Sequence, residues 1–160
     1  MYQPVSTLLL SKQYTPSAYA ILRGNYQNTD IQGVANFYAN PVSIGLLIEI
    51  EVAFLPPIPS DCPTFLGLHI HEYGDCSENF SQTGMHYNPE NKTHPCHLGD
   101  LPPLLNNNGY AYLCFYDSFL YLSEILFRSI VIHSQKDDFT SEPSGDSGEK
   151  IACGVIKPFP

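Results

Sequence analysis

Ile48-Glu49-Ile50-Glu51-Val52-Ala53-Phe54 alternates large apolar side chains with Glu49, Glu51 and Ala53. A strand sends successive side chains to opposite faces, so this run predicts a half-buried strand with Glu49 and Glu51 toward water. Similar runs recur at Ala18–Arg23, Ile31–Tyr38, Tyr110–Tyr116 and Ser129–His133, each rich in β-branched or aromatic residues. Turn chemistry separates them: Gly24-Asn25, Asn40-Pro41, Pro56-Pro57 and Asn106-Asn107-Asn108-Gly109. No segment holds a 3.6-residue apolar period between helix caps. Glu124 to Ile132 is apolar enough to be read either way, and Ile130-Val131-Ile132 favours a strand.

Many short strands in a 160-residue chain predict a single all-β domain over residues 1–160, a sandwich or closed barrel. Residues 1–16 read as a loosely ordered N-terminal extension. Fourteen prolines and eleven glycines fit a fold rich in turns. The net charge of −9, with no Lys/Arg cluster, argues against a nucleic-acid partner. The apolar stretch from Ile44 to Ile58 is interrupted by Glu49, Glu51 and prolines, so no membrane span is expected. Met1-Tyr2-Gln3-Pro4 carries no basic segment, and Val5 to Leu10 is short for a signal core. On that reading the chain stays cytoplasmic, or becomes extracytoplasmic if a leader preceded it.

Two long stretches, Tyr73 to Leu105 and Lys136 to Glu149, do not read as strands. Loops of that length in a compact domain need something to organise them. The histidines suggest what does so. All six, at 69, 71, 86, 94, 97 and 133, fall near these stretches. His69-Ile70-His71 places two imidazoles on one face of a strand, within reach of one metal. His97-Leu98-Gly99-Asp100 adds a carboxylate at a tight turn, and His86 and His94 lie in the same loop. Imidazoles suit copper and zinc, and a carboxylate beside three imidazoles suits tetrahedral zinc.

Gly67-Leu68-His69-Ile70-His71-Glu72-Tyr73-Gly74 resembles the copper-binding signature of copper/zinc superoxide dismutases. Gly84-Met85-His86-Tyr87-Asn88-Pro89 is similar to the segment carrying that family's bridging ligand. His94 with His97-Leu98-Gly99-Asp100 resembles its zinc loop. Ser129 to His133 resembles the strand bearing the last copper ligand, followed by the pair Asp137-Asp138. Gly145 to Ile156 resembles the C-terminal signature. The likeness is dense from Gly67 to Ile156 and unspecific before it.

The resemblance implies an eight-stranded Greek-key β-barrel, a flattened sandwich with two long functional loops. It implies copper on His69, His71, His86 and His133, and zinc on His86, His94, His97 and Asp100, with His86 shared. Asp137 would hydrogen-bond His69 and His94 behind the metals. The implied activity is disproportionation of superoxide to dioxygen and hydrogen peroxide. Copper would carry the electron, and zinc would hold the loop.

Lys150 stands where the family normally has an arginine guiding the anion. A lysine is a flexible point charge, so looser orientation is expected. Asp138 to Lys150 looks shorter than the guiding loop of the animal enzymes and holds Glu142, Asp146 and Glu149 with no internal base. The family pattern also implies a Cys76–Cys153 disulfide. Cys62, Cys96 and Cys114 are left unassigned, with Cys62–Cys96 a candidate pair. Asn79-Phe80-Ser81 and Asn91-Lys92-Thr93 match the glycosylation sequon, a pattern too common to carry weight. The family includes homodimers and monomers, and the sequence does not choose between them. The same ligands would also serve a copper- and zinc-binding module that stores or delivers metal without fast turnover.

Overall fold

The computed structural model describes residues 15–39, 45–57 and 64–160. β1 (Ala18–Gly24), β2 (Gln32–Ala39) and β3 (Leu46–Ala53) form an antiparallel meander, with Ile21 opposite Val34 and Val34 opposite Glu51. Asn25 makes the first turn: its Oδ1 accepts from the backbone N–H groups of Gln27 and Asn28. Its Nδ2 donates to Lys150 O at 2.9 Å, tying that hairpin to a strand far along the chain. The Asn40-Pro41 turn and the N-terminal extension through residue 14 lie outside the described residues, as does Cys62.

Beyond β3 come β4 (Thr64–Leu66), β5 (Leu68–His71), a kinked 3-10 segment (Glu78–Thr83), β6 (Leu104–Asn106) and β7 (Tyr110–Asp117). A single helical turn, α1 (Leu122–Ile125), precedes β8 (Ser129–His133), β9 (Lys150–Val155) and β10 (Lys157–Pro158). The large sheet runs β5-β8-β9-β1-β2-β3-β7, with β10 added to β1. Its two ends are joined by the β4–β6 ribbon, because β4 runs into β5 through Gly67 and β6 turns into β7 at Asn107–Tyr110. The β7-to-β8 connection crosses back to the far side of the sheet. The result is an all-β Greek-key barrel.

Alternation fills the barrel as the sequence predicts. Leu22, Phe37, Ile48, Ile50, Leu68, Ile70, Ile130 and Ile132 are fully buried, each contributing about 1.5–3 kcal/mol of apolar burial. Two expectations need correction. The strand expected across Glu124 to Ile132 begins only at Ser129. Leu122–Ile125 turns helically to bury Leu120 and Ile125, and the chain then reverses at Phe127 (φ 64°). Arg128 fixes that reversal by donating to Glu124 O and Glu72 O, both at 2.6 Å, with its guanidinium over the Tyr87 ring. The strand-free stretch expected from Tyr73 to Leu105 in turn ends at Pro103, where β6 begins.

β5 is buried on both faces. Leu68 and Ile70 face the barrel core, and His69 and His71 face outward. One edge of β5 pairs with β8. Its other edge is bonded by the long loop: Ile70 N to Gly99 O at 2.8 Å, Tyr87 N to Ile70 O at 2.8 Å, and Leu101 N to Leu68 O at 3.2 Å. His69 and His71 thereby lie in bridges opposite Asp100 and His86.

Candidate metal centre

The alternation of β5 sends the His69 and His71 side chains out of the core. His133, at the end of β8, joins them because the ladder shifts register between Ile132 and His133. The long loop brings up His86, and with it His94, His97 and Asp100. The six imidazoles are buried, none more than 8% exposed. They form two sets of four donors: His69, His71, His86 and His133, and His86, His94, His97 and Asp100. Within each set the donor atoms lie within 4.8 Å of one another, and His86 belongs to both.

Hydrogen bonds decide which nitrogen of each ring is left over. His71 Nδ1 lies 2.9 Å from Gly84 O and His133 Nδ1 3.2 Å from Gly148 O, so in both rings Nε2 is the remaining nitrogen. Those two Nε2 atoms lie 3.2 Å apart. His69 Nε2 and His94 Nε2 each lie 2.8 Å from one oxygen of Asp137, which leaves their Nδ1 atoms. His86 Nδ1 lies 2.8 Å from Asp100 Oδ1, leaving Nε2 toward the first set. His69 Nδ1, His86 Nε2, His94 Nδ1 and His97 Nδ1 are buried without a well-formed hydrogen bond, the last two facing Asp100 Oδ2 at 3.1 and 3.3 Å. Buried polar atoms rarely go unpaired. Four such nitrogens converging in one place are the signature of lone pairs meant for metal ions, so the residues fit two bound cations.

Burial keeps His69, His71 and His133 neutral. It pushes His133 down to about 4, with a partial counter-pull from the Gly148 carbonyl, and His71 down to about 2, opposed by the Gly84 carbonyl. His69 falls well below the ordinary range, through burial and then the neighbouring imidazoles. Burial works against ionisation of Asp100, but the His86 hydrogen bond and the nearby imidazoles outweigh it and hold its carboxyl low. One set is thus all imidazole, which suits copper, and the other pairs imidazoles with a carboxylate, which suits zinc.

Asp137 and Asp138 part company. Asp137 turns inward to join His69 and His94, whereas Asp138 caps a turn by accepting from Thr140 N, Ser141 N and Ser141 Oγ. Gly145 (φ 64°) packs so closely on this bridge that a Cβ would strike Asp137 Oδ1 and lie 2.6 Å from His94 Nε2. Glu142, read from sequence only as a loop acid, accepts from His94 N at 2.7 Å.

Lys150 lies beside the first set and is half-buried, its ammonium made less basic by desolvation. Nζ has acceptors at Thr83 Oγ1 (2.7 Å), Gly84 O (3.1 Å) and Phe80 O (3.5 Å), a cradle with no counterpart in the sequence reading. Cys76 and Cys153 form a disulfide packed with Phe80 and Val131. Cys96 and Cys114 are exposed.

The comparisons agree with this geometry. The family model for copper/zinc superoxide dismutase (SODC) matches residues 31–156. The Cu-Zn superoxide dismutase of Onchocerca volvulus is 30% identical over 159 residues, covering 88% of this chain and 94% of its own. That of Schizosaccharomyces pombe is 34% identical over 155 residues, covering 87% and 96%. The crystal structure of the clock protein EA4 matches with a TM-score of 0.74 at 31% identity, covering 91% of this chain and 97% of that one. On fold, donor sets and sequence together, the chain belongs to the copper/zinc superoxide dismutase family.

Proposed function

We propose that the protein is a superoxide dismutase, with copper held by His69, His71, His86 and His133 and zinc by His86, His94, His97 and Asp100. The observation that carries the reading is His86, the one ring shared by two four-donor sets, with a different nitrogen toward each. Copper bound in the first set supplies the one-electron chemistry that turns two superoxide ions and two protons into dioxygen and hydrogen peroxide.

The chain's own residues do the rest. His71 and His133 are oriented by the Gly84 and Gly148 carbonyls, so that Nε2 of each is presented. Asp137 fixes His69 and His94 together and so couples the two sets. When it is not donating to the metal, His86 Nε2 would be the nitrogen able to hold a proton on the substrate side and give it up to the product. Lys150 supplies a fixed positive charge that draws the anion in.

The test is metal analysis coupled to a superoxide-consumption assay on the remetallated protein. His133 is outside the zinc set, so His133→Ala should abolish turnover and leave zinc bound. A variant with full activity would overturn the copper assignment. A second reading, metal binding without fast turnover, would use the same ligands, and lysine in place of the family arginine at position 150 favours it. Copper and zinc bound in full stoichiometry without superoxide consumption would select it.

A further inference from the structure

An ammonium has three N–H donors on one nitrogen. The acceptors against Lys150 Nζ all come from one short segment, Phe80 to Gly84. Two are backbone carbonyls, which any sequence would offer. The third and shortest contact, at 2.7 Å, is to the Thr83 hydroxyl. Thr83 is fully buried, and its own O–H donates to Phe80 O at 3.0 Å. With its hydrogen committed there, the hydroxyl presents a lone pair to the ammonium.

We propose that Thr83 is the positioning residue that lets a lysine do the anion-guiding work at this site, a reading that rests on the proposed dismutase activity. A guanidinium fixes its own direction by its planar fork, whereas a lysine must be fixed by what surrounds it. Thr83 Oγ1 and Gly84 O supply that fixing with two short bonds. The long contact to Phe80 O, at 3.5 Å, leaves the third N–H as the one an incoming anion can take. Gly84 O also serves His71 Nδ1, at 2.9 Å, so the same carbonyl sets the ammonium in register with the copper-side imidazoles. Thr83 Oγ1 is itself 3.4 Å from His71 Nδ1, so a role through His71 must be separated from a role through Lys150.

Thr83→Val keeps the shape and removes the hydroxyl, and Thr83→Ser keeps the hydroxyl. In the diamagnetic copper(I)–zinc protein, the two Cε protons of Lys150 should be resolved by NMR in the parent and in Thr83→Ser, and should merge in Thr83→Val. With azide as the anion probe of the copper(II) form, Thr83→Val should weaken binding about fivefold, and kcat/KM for superoxide should fall by a similar factor. Neither change should appear when Thr83→Val is made on a Lys150→Met background. An equal loss on that background, or Cε protons that stay resolved in Thr83→Val, would overturn the proposal. Thr83→Ala takes the place of Thr83→Val if the latter does not fold. The NMR and azide arms do not depend on turnover, so a protein that consumes no superoxide would defeat the activity reading alone.

Discussion

Lys150 sits directly opposite His133 across the β8–β9 ladder, at the position where the register shifts after Ile132. The first residue of β9 and the last of β8 are therefore placed by one irregularity in the sheet. The shift brings His133 to the other imidazoles and lets Lys150 reach over the disulfide loop. Charge at position 150 is thus felt at both His71 and His133.

Lys150→Glu should lower superoxide consumption by more than about tenfold, because it reverses the sign of the one side-chain charge proposed to draw the anion in. Lys150→Arg should stay within about threefold, since the two acceptors that fix the ammonium, Thr83 Oγ1 and Gly84 O, can also receive guanidinium donors. Pulse radiolysis over a range of salt concentrations checks both. Unchanged kinetics in Lys150→Glu would show that position 150 does not face the substrate.

Asp137→Ala removes the carboxylate that orients His69 and His94. Zinc affinity should fall by about 10–100-fold. Competition with a chromophoric chelator measures it. Gly145→Ala should act in the same direction, because its Cβ would displace the Asp137 carboxylate. Unaltered zinc affinity in both variants would mean that the bridge is dispensable.

The Cys76–Cys153 bridge closes a loop with a sequence separation of 77. In the chain-entropy account it contributes about 4 kcal/mol by restricting the unfolded chain. Urea unfolding of Cys76→Ser/Cys153→Ser against the parent should show a loss near that size. A loss under about 1 kcal/mol would mean that this account fails for the bridge.

Acid should destabilise the metal-free protein in a defined window. The folded values of His133 and His71, about 4 and about 2, lie below the ordinary 6.5, and His69 lies lower still. As pH falls below about 6.5 the unfolded chain takes up protons that the folded chain refuses. Stability is therefore complete above that value and is lost progressively as pH falls through about 4 and toward 2. Urea midpoints at about pH 8, 6 and 5 should fall in that order, and a flat profile would contradict it.

Much of the centre was legible because strand alternation is a hard constraint. His69-Ile70-His71 on a strand can place its imidazoles on only one face. The strands at Ala18–Arg23, Ile31–Tyr38, Tyr110–Tyr116 and Ser129–His133 were readable for the same reason. Thr83 was not. It meets Lys150 across 67 residues of sequence, after a kink in which Asn79 and Phe80 take left-handed φ values of 57° and 70°. No periodicity announces such a kink. β4 and β6 are three residues each, too short for alternation to show, and β6 follows two prolines. The α1 turn forms because Arg128 and the buried Leu120 and Ile125 favour it, which is tertiary information. Glu142 read as an ordinary solvated acid because its partner is a backbone N–H, which leaves no mark in the sequence.

The loop that carries His86 to Asp100 also covers the outer edge of β5 with its own backbone. The residues that gather metal are therefore the residues that keep a terminal strand of the barrel from presenting bare N–H and C=O groups. Leu68 to His71 holds no proline or charged side chain to deter another chain from pairing there. A molecule whose loop has come away would bare that edge, a short template on which another strand could add.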